Sequence, residues 1–319
     1  MAHFDTIQQL RDHLNQRVIG QEHLVDRLLI ALLSDGHLLV EGAPGLAKTT
    51  AVKEMAECIE GDFQRIQFTP DLLPADLTGT DIFRPQDGSF QFQPGPLFHN
   101  VLLADEINRA PAKVQSALLE SMAERQITIG NKTYPLEKLF MVMATQNPIE
   151  QEGTYALPEA QLDRFLMYVS IGYPDADSET KILALNRKQE QHIQTHSKPL
   201  ILQKMIFSVR DEILKLHMSP ELENYLVELI IATRQPEKYS KDLQRWIRFG
   251  ASPRGTIGLD RCARAHAWLK QRDYVSPEDI HAVAHDVLRH RILLNFEAEA
   301  EGVTSDDVID EILKQVSIP

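Results

Sequence analysis

The feature that most constrains this chain is a loop of small residues that joins a short apolar run to a helical pattern. The run is Leu38-Leu39-Val40, residues 51–59 have helical periodicity, and the loop between them reads Gly42-Ala43-Pro44-Gly45-Leu46-Ala47-Lys48-Thr49-Thr50. In a strand-to-helix turn of this kind, backbone N–H groups and the helix N-terminus point at one spot and can bind a polyphosphate. The loop therefore predicts a nucleotide site in an α/β sheet, and the alternative is a structural glycine turn.

The loop follows the pattern GxxxxGK[ST] with one departure. Lys48 supplies a fixed positive charge for the β- and γ-phosphates, and the hydroxyl of Thr49 can ligate Mg²⁺. The second glycine of the pattern is replaced by Ala47. We therefore expect the backbone at residue 47 to adopt a φ angle that accommodates a Cβ atom.

Two further strand-like runs end in polar residues that suit phosphate chemistry. The run 101–104 is followed by Asp105 and Glu106, and the run 139–144 is followed by Thr145-Gln146-Asn147-Pro148. The carboxyl ends of parallel strands face the crevice where ligands bind, so these side chains should lie beside the loop. There Asp105 can hold the hydration shell of Mg²⁺, Glu106 can polarise an attacking water, and Asn147 can orient that water. Without the loop, the two acids would be explained equally well as a helix cap, and the Asn-Pro pair as an ordinary turn.

The spacing of apolar residues changes near Pro174. Before it, helical patterns alternate with apolar runs of strand length, at 38–40, 66–68, 101–103, 139–144 and 166–171, which predicts a doubly wound parallel sheet. After it, helical periodicity dominates, and Ser219-Pro220-Glu221 and Ser276-Pro277-Glu278-Asp279 are typical helix starts. We predict an α/β domain at 1–174, with hairpins inserted at 77–96 and 127–134, and a helical domain at 175–319.

Composition limits the range of functions. The chain has 319 residues and a formal net charge of −13, from 33 Lys plus Arg and 46 Asp plus Glu. Such a chain repels a phosphate backbone, so bulk nucleic-acid binding is disfavoured. Cys58 and Cys262 belong to no CxxC or Cys/His cluster, so we expect reduced thiols rather than a disulfide or a zinc site. Because no run resembles a signal peptide or a membrane span, we expect a cytoplasmic protein without membrane insertion.

Two arginines and a pair of histidines are further candidates. Arg164 precedes the run 166–171, and Arg254 follows Ser252-Pro253 at a predicted helix start. Charge that develops on a transferred phosphoryl group needs cations, yet by residue type alone either arginine is better explained as a surface cation. His281 and His285 have i, i+4 spacing but lack the HExxH glutamate, so a packed or solvated helix face explains them better than a metal site.

The order of these motifs resembles the MoxR family of AAA+ ATPases, which is related to the ATPase subunits of magnesium chelatases. The resemblance rests on Val18-Ile19-Gly20-Gln21, the phosphate loop, Asp105-Glu106-Ile107-Asn108-Arg109-Ala110, Ala144-Thr145-Gln146-Asn147-Pro148 and Leu157-Pro158-Glu159-Ala160-Gln161-Leu162-Asp163-Arg164-Phe165. It extends from about residue 18 into the helical half of the chain. It implies a P-loop NTPase fold of the AAA+ type, a parallel sheet flanked by helices, with a C-terminal all-helical lid domain.

The resemblance also implies roles for individual residues. Ile19 and Gly20 would line the adenine pocket. The Walker A motif that binds the phosphates of ATP would consist of Gly42, Ala43, Pro44, Gly45, Leu46, Ala47, Lys48, Thr49 and Thr50. Asp105 and Glu106 would form the Walker B motif, with Asp105 and Thr49 at the magnesium ion, and Asn147 would be the sensor 1 residue.

The resemblance further implies a homo-oligomeric ring, hexameric in such ATPases, with ATP bound between neighbouring subunits. Arg164 would be the arginine finger that reaches a neighbour's γ-phosphate. Arg254 would be sensor 2 on the lid, acting on its own subunit's nucleotide or on a neighbour's. Family members remodel, mature or activate client proteins, often ones with von Willebrand factor A domains. This sequence contains no such domain, so that partner would be a separate chain.

Two competing functions stay open at this point. An AAA+ motor acting on DNA would use the same ATPase site; the net charge argues against it but allows a basic pore, for which Lys132 in the second hairpin is the obvious cation. A small-molecule phosphotransferase would need an acceptor pocket and has no use for Glu106, Asn147 and a trans-acting arginine together. Magnesium-dependent ATP hydrolysis that remodels a protein client is therefore the main hypothesis.

Overall fold

The structure, a computed structural model, describes residues 3–86, 88–148, 153–190 and 200–319. The described residues form two compact units. The sheet unit contains those of Asp5–Leu157 and Val169–Ile206, and the helical unit contains those of Met1–Phe4, Pro158–Tyr168 and Phe207–Pro319. The domain boundary predicted at residue 174 stays a prediction.

The regular elements are numbered in chain order. The strands are β1 Leu38–Glu41, β2 Phe63–Gln67, β3 Gly79–Arg84, β4 Ser89–Pro94, β5 Val101–Asp105, β6 Gln126–Ile129, β7 Lys132–Pro135, β8 Met141–Gln146, β9 Met167–Ser170, β10 Ile247–Phe249 and β11 Leu293–Leu294. The helices are α1 Phe4–Arg17, α2 Glu22–Leu33, α3 Lys48–Glu57, α4 Pro74–Thr78, α5 Ala112–Glu124, α6 Glu159–Leu162, α7 Ala176–Glu190, α8 Gln203–Leu214, α9 Pro220–Arg234, α10 Lys241–Trp246, α11 Pro253–Leu269, α12 Pro277–Leu288, α13 Phe296–Ala300 and α14 Ser305–Gln315.

Five strands form the central sheet in the order β2-β5-β8-β1-β9. The pairs β2–β5, β5–β8 and β8–β1 are parallel. Every residue of β5 is buried, and β8 is buried up to its last residue, as expected for apolar strands covered on both faces. The parallel α/β sheet predicted from the alternating runs is confirmed. Its order places the carboxyl ends of β5, β8 and β1 side by side.

Strand β2 differs from its prediction. The apolar run at 66–68 indicated a strand there, whereas β2 begins at Phe63 and ends at Gln67. Because β2 lies at an edge of the sheet, one of its faces is polar: Arg65 and Gln67 are exposed while Ile66 between them is buried. A search for continuous apolar runs misses the polar half of such a strand.

Both predicted hairpins are present in the sheet unit. Strand β3 pairs with β4 and β6 pairs with β7, each antiparallel. The rings of Phe92 and Tyr134 stack with their centroids 4.3 Å apart, and Phe98 contacts both rings edge-on. Aromatic packing therefore joins the two hairpins at their bases, while Phe83 and Phe90 of the first hairpin remain exposed.

The helical unit contains one element that the sequence did not predict, a two-stranded ribbon of β10 and β11. These strands are three and two residues long, too short for periodicity to reveal. The two predicted helix starts are confirmed. Ser219 accepts a hydrogen bond from the N–H of Leu222, and Ser276 and Asp279 form a capping box.

Among the described helices, none combines the length and the apolar character that crossing a bilayer requires.

Candidate functional site

The phosphate-loop candidates lie where β1 ends and α3 begins. Helix α3 begins at Lys48, so the N–H groups of its first turn have no partner within the helix and are available to an anion. A cavity of about 370 Å³ is lined on this side by Pro44, Gly45, Leu46, Ala47, Lys48, Thr49 and Thr50. Gly42 and Ala43 are buried and do not contribute to this lining. The loop from residue 44 onward therefore forms the wall of the cavity.

The backbone at Ala47 corrects the expectation that residue 47 suits a Cβ atom. Its φ is +58° and its ψ is 18°, in the left-handed region that favours glycine. The expectation was wrong because the loop holds residue 47 in the left-handed conformation although that residue is an alanine. An alanine there carries a local strain of about 1 kcal/mol.

Lys48 lies inside the cavity with its ammonium group already bound to the protein. Its Nζ donates to the carbonyl oxygen of Gly42 at 2.5 Å and to that of Gln146 at 3.4 Å. Burial lowers the pKa of Lys48, and the negative charges of Asp105 and Glu106 oppose that effect. The lysine is thus a positioned cation between the loop and the two predicted acids.

Asp105 and Glu106 are oriented by one hydroxyl group from the neighbouring strand. Thr145, at 1% exposure, donates its hydroxyl to Asp105 Oδ1 at 2.6 Å and accepts the N–H of Glu106 at 2.9 Å. Glu106 has a φ of +56°. A non-glycine residue in this conformation is uncommon, and the surrounding structure must hold it there. Because of this backbone conformation, the Glu106 side chain does not follow the alternation of side-chain directions along β5.

Two side chains of β2 complete the environment of the acids. Arg65 donates Nη2 and Nε to Asp105 Oδ2 at 2.7 and 3.1 Å, and Gln67 donates Nε2 to Glu106 Oε2 at 2.6 Å. Arg109 Nη1 also lies 3.1 Å from Glu106 Oε2. Arg65, Gln67 and Thr145 were missed at the sequence level. A signal existed for β2, since Arg65 and Gln67 are separated by two positions and therefore lie on one face of an edge strand.

Asn147 follows β8 directly and is 7% exposed. It lines the same cavity as Lys48, Asp105 and Glu106. The structure therefore brings together the predicted groups from the ends of three adjacent strands, β1, β5 and β8, at one edge of the sheet. A cation, two acids and an amide around one cavity can bind a polyphosphate and activate water.

A second cavity, of about 310 Å³, shares loop residues 44–47 and Thr50 with the first. Its lining includes Ile19, which the resemblance assigned to the adenine pocket, and Gln21, whose amide donates to Gly172 O at 3.0 Å. Gly20 does not line it but supports its wall: a Cβ at this position would lie 2.9 Å from the Cβ atoms of Pro174 and Ser178. The wall also contains Arg17, Tyr173, Pro174, Ile182 and Asn186, none of which the sequence identified as site residues.

Arg164 and Arg254 belong to the helical unit. Arg254 Nη1 lies 3.3 Å from Asp163 Oδ2, and the almost fully buried Arg291 binds the other oxygen of that carboxylate at 2.8 Å. The structure thus ties Arg254 to the residue that precedes Arg164 in the chain. Their roles at a phosphate stay predictions.

The other candidates from the sequence have ordinary structural partners. His281 Nε2 lies 2.6 Å from the hydroxyl of Tyr225, and His285 Nε2 lies 3.0 Å from Asp310. Within the described ranges, no three His, Cys, Asp or Glu side chains are grouped to hold a metal ion. Cys58 and Cys262 are free and buried.

Comparison with known proteins agrees with this geometry. Residues 37–167 match the ATPase family associated with various cellular activities (AAA), and residues 242–312 match the AAA lid domain. The chain is 44% identical to the chaperone MoxR1 of Mycobacterium tuberculosis, over all of this chain and 84% of that protein. It is 34% identical to the protein MoxR of Paracoccus denitrificans, over 96% of this chain and 94% of that protein.

A solved structure from Cytophaga hutchinsonii, described as a candidate ATPase, superposes with a TM-score of 0.92. It is 48% identical in sequence and covers 99% of this chain and 96% of its own. The chain therefore belongs to the MoxR family of AAA+ ATPases: it has the AAA+ nucleotide-binding fold with a lid domain, and it is an ATPase.

Proposed function

We propose that this MoxR-family ATPase binds Mg²⁺ and ATP at the edge of the sheet and uses hydrolysis to remodel, mature or activate client proteins. The observation that supports the proposal most is the convergence of Lys48, Asp105, Glu106 and Asn147 on one cavity. These residues come from segments far apart in sequence. Together they supply a cation, two acids and a neutral amide, which is the set that phosphoryl transfer to water requires.

The donor set at this edge fits a magnesium ion. Mg²⁺ prefers oxygen ligands and keeps several waters, and Thr49 and Asp105, whose side chains carry a hydroxyl and a carboxylate, both line the cavity. When bound, the ion supplies charge that neutralises the phosphate oxygens. Lys48 would bind the β- and γ-phosphates, Glu106 would take a proton from the attacking water, and Asn147 would orient that water. Loop residues 42–50 would cradle the phosphates, and Ile19 and Gly20 would form the wall beside the adenine.

The proposal includes a homo-oligomeric ring, hexameric as in the sequence-based expectation, that acts in the cytoplasm. Arg164 would complete the ATP site of a neighbouring subunit, and Arg254 would sense the nucleotide from the lid domain. Support for a client comes from the similarity to MoxR1, a protein named as a chaperone. A partner with a von Willebrand factor A domain would be a separate chain.

A mixing experiment tests the site and its trans arginine together. Arg164→Ala and Glu106→Gln should each be inactive alone. In mixed rings, about a quarter of the interfaces combine an intact Glu106 with an intact neighbouring Arg164, so ATP turnover should return in part. Lys48→Ala mixed with Glu106→Gln is the control, because every site in that mixture carries one defect on the nucleotide-binding side. Its turnover should stay at background.

Native mass spectrometry would confirm that both chains share a ring and would give the ring size. Rings that contain both chains but show no recovered turnover would contradict the trans role of Arg164. Capture of client proteins by the Glu106→Gln variant with ATP would then identify the partner, since the ATP-bound state should hold a client longest.

A further inference from the structure

A chain of hydrogen bonds connects the two acids of the site through β2. The same Nη2 of Arg65 that contacts Asp105 Oδ2 at 2.7 Å lies 3.1 Å from Gln67 Oε1, and Gln67 Nε2 lies 2.6 Å from Glu106 Oε2. The order of the chain is Asp105, Arg65, Gln67, Glu106. Each hydrogen bond in this chain joins a donor to an acceptor, so two donors or two acceptors never face each other along it.

Strand register explains why this chain forms. Gln67 lies directly opposite Asp105 in the parallel pair of β2 and β5, and Arg65 lies two positions earlier on the same face. Glu106 comes after the last residue of β5, and in an extended strand it would point to the opposite face. Its left-handed backbone, with φ of +56°, removes that alternation and lets its carboxylate reach Gln67.

The orientation of the Gln67 amide depends on Arg65. An amide has one oxygen that accepts and one nitrogen that donates, and a guanidinium group only donates. Because Arg65 faces Gln67 Oε1, the nitrogen must turn toward Glu106. If Arg65 moved away, the amide would lose the contact that fixes its direction. Arg65 therefore controls a hydrogen bond to Glu106 that it does not itself make.

We propose that Arg65 is the resident cation of the magnesium site. When no metal is bound, it neutralises Asp105 and orients Gln67 onto Glu106, and a divalent cation binds by displacing it. The proposal rests on the proposed function, since it takes Asp105 as the acid at the metal. Arg65 is a positioning residue: it acts on Glu106 through Gln67.

Charge and exposure support displacement of this arginine. A divalent ion at Asp105 repels a guanidinium 2.7 Å from the same carboxylate, so the two compete for Oδ2. The Arg65 side chain is 50% exposed and can move into water, whereas the Asp105 side chain is 12% exposed and stays in the site. Once Arg65 has left Asp105, the Gln67 amide can rotate and Glu106 can accept a proton from water. Metal binding is thereby coupled to the release of Glu106 from its hydrogen bond with Gln67.

The test measures metal affinity, with Mn²⁺ as the probe and ADP as the nucleotide. Free Mn²⁺ is counted by electron paramagnetic resonance in the full-length protein. Arg65→Met should tighten Mn²⁺ binding about two- to fivefold, because removing the competitor removes a half-exposed ion pair. Arg65→Lys keeps a point charge near Asp105 and should stay within about twofold of wild type. Arg84→Met removes one arginine from β3, outside the cavity lining, and should change nothing.

A double-mutant cycle tests the link through Gln67. Gln67→Leu should tighten Mn²⁺ binding about twofold in the wild-type background, because Arg65 loses its second acceptor, and should have no effect in the Arg65→Met background. In turnover assays, Arg65→Met should lower the magnesium concentration that gives half-maximal rate. A merely structural role would leave that concentration unchanged or raise it.

Weaker or unchanged Mn²⁺ binding in Arg65→Met, with Arg65→Lys folded and binding ADP, would overturn the proposal. So would equal effects of Gln67→Leu in both backgrounds. These outcomes are separate from failure of the proposed function, in which the wild-type protein itself would not bind Mn²⁺ and ADP.

Discussion

Thr145 and Asp105 are joined by a hydrogen bond of 2.6 Å from the threonine hydroxyl to carboxylate Oδ1. The same hydroxyl accepts the N–H of Glu106, so a single buried oxygen on β8 orients both acids at the end of β5. The aspartate is held from its other side by Arg65. The position of the acids therefore depends on side chains from the two strands that flank β5 in the sheet.

Thr145→Val should lower the rate of ATP hydrolysis about ten- to hundredfold, as loss of a supporting contact at a metal ligand typically does. The valine has the shape of threonine but leaves Asp105 Oδ1 and the Glu106 N–H without their partner. Thr145→Ser keeps the hydroxyl and should retain most of the activity. Steady-state turnover, measured beside ADP affinity, checks this. Equal losses in both variants would show that the methyl group, and not the hydroxyl, is what the site needs.

Lys48→Ala and Glu106→Gln should separate binding from hydrolysis. Removing the ammonium group deletes the cation beside the phosphate loop, so nucleotide binding should weaken at least about tenfold. Glu106→Gln keeps the size of the side chain and removes the base, so ATP should stay bound while turnover falls at least about a hundredfold. Isothermal titration with ADP and a phosphate-release assay measure the two effects. Similar binding and similar turnover in the two variants would contradict the assigned roles.

The sheet and most of the site could be predicted because they depend on local patterns. Apolar runs identified the buried strands, and the polar residues that follow β5 and β8 had to meet at the carboxyl edge of a parallel sheet. The contacts of Arg65, Gln67 and Thr145 could not be predicted, because they depend on the register between strands that are far apart in sequence. The left-handed backbone of Ala47 and Glu106 was also hidden, since neither position carries the glycine that would indicate it.

Ala47→Gly should leave the stability of the protein unchanged or raise it by up to about 1 kcal/mol, since relief of the left-handed strain outweighs the greater freedom of glycine in the unfolded chain. Ala43→Gly is the matched control: Ala43 is buried in the same loop and has no positive φ, so the change should destabilise by about 0.5–1 kcal/mol. Thermal unfolding without nucleotide measures both. A clear loss of stability in Ala47→Gly, equal to that of the control, would show that the loop does not strain Ala47.

Asp279→Asn should destabilise the helical unit by about 3 kcal/mol, because it breaks a buried charge cluster at the start of α12. Asp279 is 0% exposed and accepts hydrogen bonds from His266, at 2.7 Å, and from the N–H of Ser276, at 2.8 Å, while Arg272 pairs with the same carboxylate. Desolvation opposes its ionised form, but these partners outweigh it, so the pKa of Asp279 lies below its ordinary value of 3.8.

The sign of the pH dependence follows from that direction. A carboxyl whose pKa is lower in the folded state contributes stability that is fully present above the ordinary value of 3.8 and is lost as the pH falls through the lowered pKa. The stability difference between wild type and Asp279→Asn should therefore be constant at neutral pH and shrink below that value. Both tryptophans, Trp246 and Trp268, lie in the helical unit, so urea titrations followed by their fluorescence report on that unit. Asp307→Asn at the exposed capping box of α14 is the control and should cause a much smaller loss of stability. If the stability difference between wild type and Asp279→Asn stays constant at acidic pH, the lowered pKa of Asp279 is refuted.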